Sequence, residues 1–139
     1  MKTLITLCAA LLCVCSVQAQ ERSKSKEGAE VYIISPKDGD VIKGDVTVVF
    51  GLKGMGVAPA GTAMEGTGHH HLLIDTEKLP AMNLPLAATE KSKHFGAGQT
   101  ETTLKLDKGK HTLQLVFADF AHIPHDPPLM SKKITITVK

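Results

Sequence analysis

Apolar and polar residues alternate along four stretches of this chain, and a two-residue period is the mark of a β-strand with one buried face. Residues 45–52 put Val46, Val48, Phe50 and Leu52 on one side. Residues 99–106 put Thr100, Thr102, Leu104 and Leu106 on one side and Glu101, Thr103 and Lys105 on the other. Residues 111–118 turn Leu113, Leu115 and Phe117 inward, and residues 132–138 align Ile134, Ile136 and Val138. A β-branched, aromatic run at 30–35 adds a first strand, closed by Pro36 and Asp38-Gly39. A short extended piece at Val41-Ile42 follows, and residues 68–75 read as a buried strand. Asp107-Lys108-Gly109-Lys110 predicts a hairpin turn between 99–106 and 111–118, with Gly109 available for a positive φ. No stretch carries a convincing helical period.

Three intervals break the pattern. Residues 53–67 hold four glycines and no periodicity, a length that marks either a mobile loop or part of a site. Residues 76–98, with Pro80, Pro85, Gly96 and Gly98, are expected to run over the surface with at most one short strand. Residues 119–130 read as a proline-rich loop. About seven strands with turn signals at short intervals predict an all-β fold, an antiparallel immunoglobulin-like β-sandwich. A small barrel or a cupredoxin-like sandwich is the alternative.

The N-terminus changes this picture by setting a compartment. Lys2, the apolar run from Leu4 to Val17 and the small-residue site Val17-Gln18-Ala19 predict a cleaved signal peptide over residues 1–19, with the exported chain starting at Gln20. A retained transmembrane helix needs about 20 apolar residues, whereas polar and charged residues follow here at once. The expected location is therefore periplasmic or secreted, with no membrane span. Cys8, Cys13 and Cys15 all leave with the signal, and none follows a small residue as a lipidation site requires. The remainder, about 120 residues without cysteine, has no disulfide and no thiolate, and must be held by one core. Residues 20–28 read as a disordered lead-in and residues 29–139 as the sandwich domain. Losing Lys2 lowers the formal charge from +2 to +1, with acidic and basic residues interspersed. Neither that balance nor the scarcity of aromatic residues fits a nucleic-acid partner.

Candidate chemistry is concentrated in histidine. All 7 histidines lie between His69 and His125. In the 68–75 strand, Leu72 and Ile74 facing inward send His70 inward and turn His69 and His71 outward together. Side chains two apart on a strand are separated by roughly 6.5–7 Å at the backbone, from which two imidazoles can converge on one ion. In an immunoglobulin-like topology the loop before this strand and the loop carrying His122 and His125 share one end, and His94 lies just upstream of a strand that starts there. The expected divalent-metal locus is His69, His71, His122 and His125, with His94 and Met64 or Met130 nearby. His70 is either a further ligand or a core histidine bonded to backbone. His111 falls at the opposite end. Imidazoles and thioethers without thiolate suit copper, with zinc or nickel acceptable on nitrogens alone. Metal binding would weaken as pH falls through the unperturbed histidine range near 6.5.

Four blocks carry a family resemblance: Gly68-His69-His70-His71-Leu72-Leu73-Ile74-Asp75, His94-Phe95-Gly96-Ala97-Gly98-Gln99-Thr100-Glu101, Gly109-Lys110-His111-Thr112-Leu113-Gln114-Leu115 and His122-Ile123-Pro124-His125-Asp126-Pro127-Pro128. With Phe50-Gly51-Leu52-Lys53-Gly54-Met55, they resemble a bacterial domain-of-unknown-function family, number 4399, over about residues 50–138. The resemblance implies a small exported bacterial domain and brings no activity, substrate or cofactor with it.

Catalytic motifs are absent: there is no G-x-S-x-G, no cysteine nucleophile and no H-E-x-x-H. The expectation is a non-enzyme. A metal hydrolase would have to draw its base from Glu65, Glu101 or Asp126. The rival to metal binding is a non-catalytic envelope interaction module that recognises a peptide, glycan or protein through the same loops.

Overall fold

The computed structural model describes residues 21–139; the expected signal peptide over residues 1–19 lies outside the described residues. Ten strands follow in order: β1 (Glu30–Ser35), β2 (Val41–Ile42), β3 (Val46–Lys53), β4 (Gly56–Val57), β5 (Thr67–Ile74), β6 (Ser92–Phe95), β7 (Glu101–Leu104), β8 (Gly109–Ala118), β9 (Pro124–Met130) and β10 (Ile134–Val138). They form two stacked sheets. One has the order β1-β3-β7; the other has the order β2-β10-β8-β5-β4, with β6 paired to β5 and β9 to β8. This is the immunoglobulin-like sandwich that the alternation predicts, antiparallel except for short parallel pairings of β2 with β10 and β4 with β5. No helix among the described residues is long and apolar enough to cross a membrane.

The core lies between the sheets. Val46, Val48 and Phe50 of β3 meet Leu72 and Ile74 of β5, Leu113, Leu115 and Phe117 of β8, and Ile136 and Val138 of β10. Each such side chain contributes about 1.5–3 kcal/mol on full burial, which suits a domain with no cysteine among its described residues. On β5, the inward set is His70, Leu72 and Ile74, so His69, His71 and Leu73 take the other face of the seven-stranded sheet. That face is covered too, by Leu86, Val116, Ala118 and Met130 around Leu73.

Two expectations are corrected. Residues 107–110 do not close a hairpin: β7 pairs with β3 in one sheet, whereas β8 pairs with β5 and β10 in the other. Leu104 and Leu113 face the same core from opposite layers, and an alternation pattern reads identically in either layer. Residues 119–130 are not all loop, because β9 pairs with β8. Pro127 and Pro128 are tolerated there because they are exposed and fall in the irregular stretch between Pro124 and Leu129, where no residue of β8 pairs with them.

Residues 22–25, read from composition as part of a disordered lead-in, instead lie along β9. Ser25 N donates to the Asp126 carbonyl at 3.1 Å, and Asp126 N donates to the Ser23 carbonyl at 2.9 Å. Arg22 and Lys24 both reach the Asp126 carboxylate. A pattern search for buried apolar faces cannot register a segment held by polar bonds alone.

Candidate metal centre

The centre is built on one face of β5. His69 and His71 share that face by parity, and β6 lies antiparallel beside it with His94 directly opposite His71. Across-strand partners point the same way, so His94 joins the pair. On the other flank β8 runs past, with Ala118 opposite His69. The turn leaving Ala118 carries His122 at a φ of 66°. A left-handed conformation is uncommon for a residue with a β-carbon. Here it aims the imidazole back over the strand.

Four histidines from three elements thus converge. His69 Nε2 lies 3.1 Å from His71 Nε2 and 3.1 Å from His122 Nδ1. One nitrogen from each of His69, His71, His94 and His122 falls within 4.8 Å of the others. An ion bonded to four tetrahedral nitrogens at about 2.0–2.1 Å would hold them about 3.3 Å apart, so the rings stand close to the spacing a single ion requires. His69 and His71 are fully buried, whereas His94 and His122 are partly exposed and form the rim.

Burial is the main electrostatic fact. It lowers the pKa of His69 to about 4, helped by the neighbouring His122 and His94 and opposed by the Asp119 carboxylate. Burial lowers His71 to about 3, with His69, His94 and His122 adding repulsion. His94 is lowered for the same reasons, burial first and His122 second. His69 and His71 are therefore neutral at pH 7, with lone pairs available to a cation. The expected weakening of metal binding near pH 6.5 consequently moves to lower pH for these two ligands. Within the protein, His69 Nδ1, His71 Nδ1 and His94 Nε2 have no hydrogen-bond partner. Leaving buried polar atoms unpaired costs about 1–3 kcal/mol each.

The glycine-rich loop borders the site. Ala60 N donates to the Gly96 carbonyl at 2.8 Å, and Gly61 N donates to the Phe120 carbonyl at 2.9 Å, so one short stretch straps the end of β6 to the His122 turn. A β-carbon at Gly96 would run into the His94 ring, which would have to move aside.

The other expected ligands lie elsewhere. His70 points between the sheets, with its ring 5.1 Å from both Phe50 and Phe117. Burial lowers its pKa to about 4, opposed by the Gln99 backbone, and neither ring nitrogen makes a hydrogen bond of normal geometry. His125 is buried on β9, stacked on Phe117 at 5.6 Å, with Nε2 3.2 Å from the Thr67 carbonyl. It lies three positions after His122, and the change from turn to strand sends the two rings apart. Met64 is exposed and Met130 packs into the apolar patch around Leu73. His111, at the far end, bonds Asp75 through Nδ1 at 2.7 Å and faces the Asp107 carbonyl through Nε2. Although burial pulls its pKa down, those bonds raise it overall.

Gly68 sets how closely β5, β8 and β9 approach. A β-carbon there would strike the Ala118 carbonyl and stand 2.9 Å from both His125 and Phe117. Gly68→Ala is expected to destabilise the fold by about 1–3 kcal/mol, the usual range for overpacking. Urea unfolding of the two proteins checks this.

One residue beside the centre had no sequence signature. Asp119 is 2% exposed, and its Oδ1 accepts from Ala121 N at 2.9 Å and Ile123 N at 3.0 Å. Its Oδ2 accepts from the Ser23 hydroxyl at 2.7 Å. An aspartate opening an aperiodic stretch reads as any turn residue, so only the folded turn reveals its place.

Among solved structures, the chain is similar to the fibronectin(III)-like modules of Clostridium thermocellum CbhA, at 14% identity, covering 78% of this chain and 92% of that one with a TM-score of 0.39. No curated protein matches it in sequence. The sequence profile of the domain of unknown function DUF4399 matches residues 48–139, a span that includes all four histidines of the centre. The chain therefore belongs to the DUF4399 family.

Proposed function

We propose that this chain is an exported protein, periplasmic or secreted after loss of its signal peptide, that binds one transition-metal ion, copper or zinc, through His69, His71, His94 and His122. The observation that carries the reading is the convergence of four imidazole nitrogens within 4.8 Å, two of them on rings that burial keeps neutral. A donor set of imidazoles alone suits zinc, copper or nickel, and excludes the oxygen-preferring calcium and magnesium. The site reads as one for holding an ion rather than for catalysis. Four protein ligands complete a tetrahedral zinc sphere and leave no position for a reacting water. The carboxylates considered as a hydrolytic base stand apart from the cluster: Glu65 and Glu101 are exposed, and Asp126 is paired with Arg22 and Lys24.

The test is elemental analysis of the untagged protein from its native envelope, followed by Cu(II) and Zn(II) titration of the metal-free chain. One equivalent of copper or zinc, removable by chelator and restored on titration, is expected. Protein that is isolated without metal and takes up none on titration would sink the reading and favour a non-catalytic envelope interaction module.

A further inference from the structure

The side-chain hydrogen bonds of Arg22, Ser23 and Lys24 all go to residues 119–126, the turn and strand start that carry His122. Arg22 Nε donates to the Pro124 carbonyl at 3.0 Å, and its guanidinium also donates to the His125 carbonyl. Lys24 reaches Asp126 at 2.8 Å from an exposed position. Ser23 alone reaches the inside of the turn, donating to Asp119 Oδ2 at 2.7 Å.

What Ser23 touches is the group that shapes His122. The left-handed backbone of His122 persists only if its surroundings hold it. Those surroundings are largely Asp119. His122 N donates to the Asp119 carbonyl at 2.9 Å, Asp119 N donates to the Ile123 carbonyl at 2.9 Å, and Oδ1 collects the amides on either side of His122. A nearly fully buried carboxylate that loses the partner of its second oxygen must turn to find another, and turning releases the first oxygen from those two amides.

We propose that the bond from Ser23 to Asp119 is a clasp that positions His122 as a metal ligand, with Ser23 acting through Asp119 as the positioning residue. This rests on the metal-binding reading above. The clasp touches no ligand atom itself. It fixes the backbone that aims the imidazole from the rim of the centre, just as outer partners orient ligands at other metal sites. Ser23 lies 46 positions before the nearest histidine of the centre in the chain, so its link to the ligand set exists only through the fold.

The experiment compares wild type, Ser23→Ala, Ser23→Thr and Lys24→Ala, each expressed from the full-length gene and purified as the folded product. Cu(II) and Zn(II) affinities are measured by chelator competition and Cu(II) geometry by electron paramagnetic resonance. Ser23→Ala is expected to weaken binding about tenfold, the lower end for an outer-shell partner, and to shift the copper spectrum. Ser23→Thr, which keeps the hydroxyl, restores both, and Lys24→Ala leaves both unchanged. Melting of the metal-free proteins controls for a general loss of fold. Wild-type affinity and spectrum in Ser23→Ala would overturn the clasp while leaving metal binding standing, and so would a Ser23→Thr variant that fails to restore them. A wild-type protein that binds neither metal overturns the binding reading, and the clasp falls with it.

Discussion

Alanine in place of His71 should lower metal affinity by at least about 100-fold, beyond the 10–100-fold typical of losing an outer-shell partner. His71 is the deepest of the four ligands. It is fully buried, its Nε2 faces His69 Nε2 at 3.1 Å, and His94 stands opposite it on β6. Removing it leaves an ion with three imidazoles. His69→Ala should behave alike, and His122→Ala nearly so. The contrast is with His125→Ala and His111→Ala. His125 stacks on Phe117 and His111 bonds Asp75, so both variants should lose stability yet bind metal as the wild type does once folded. Titration followed by calorimetry, with circular dichroism to confirm folding, separates the groups. If His125→Ala lost affinity as His71→Ala does, the ligand set would be wrong.

The metal-free protein should unfold cooperatively in mild acid, near pH 4–5, with the steepest loss tied to three buried histidines. His69, His70 and His71 sit at about 4, about 4 and about 3 in the folded chain, each lowered chiefly by burial from 6.5. The unfolded chain therefore binds more protons below pH 6.5 than the folded one does. Stability is whole above that pH and is lost as pH falls toward the folded values. Each histidine held neutral contributes a slope of about 1.4 kcal/mol per pH unit, so the three together approach about 4 kcal/mol per unit. A domain of ordinary stability, about 5–15 kcal/mol, cannot absorb much more than two or three such units. Denaturant unfolding between pH 4 and 8 measures the slope directly. His70→Leu should flatten it by about a third without altering metal binding, because His70 lies between the sheets. Saturating metal should shift the acid transition downward, since an ion bound only to the folded chain stabilises it. A pH-independent stability across this range would contradict the burial of the three rings.

Much of this arrangement was legible before folding. The alternation on β3, β8 and β10 announced their buried faces, and parity along β5 separated His70 from His69 and His71. Neighbouring side chains on a strand must point to opposite faces, so that division required no knowledge of the rest of the molecule. The shared end of two loops nominated His122 together with His125, because loops at one end of a sandwich are close whatever their details. Parity could not show that His69 and His71 would be buried as well. The outer face of β5 is covered by side chains from β6 and from the 119–123 turn, both distant in sequence.

The family, the all-β class, the predicted leader and the supply of imidazoles belong to the sequence by itself, because composition, motif and local period set them. Which sheet β7 joins, whether the proline-rich stretch is loop or strand, and which of His122 and His125 meets His69 were decided only by the tertiary structure. Local pattern tells a residue which face of its own strand it occupies. Pairing between strands then determines what stands opposite, and a turn with φ of 66° at His122 sends two histidines three residues apart to different places. The bond from Ser23 to Asp119 belongs to the same class, since polar contacts between remote segments leave no period along the chain for a sequence to display.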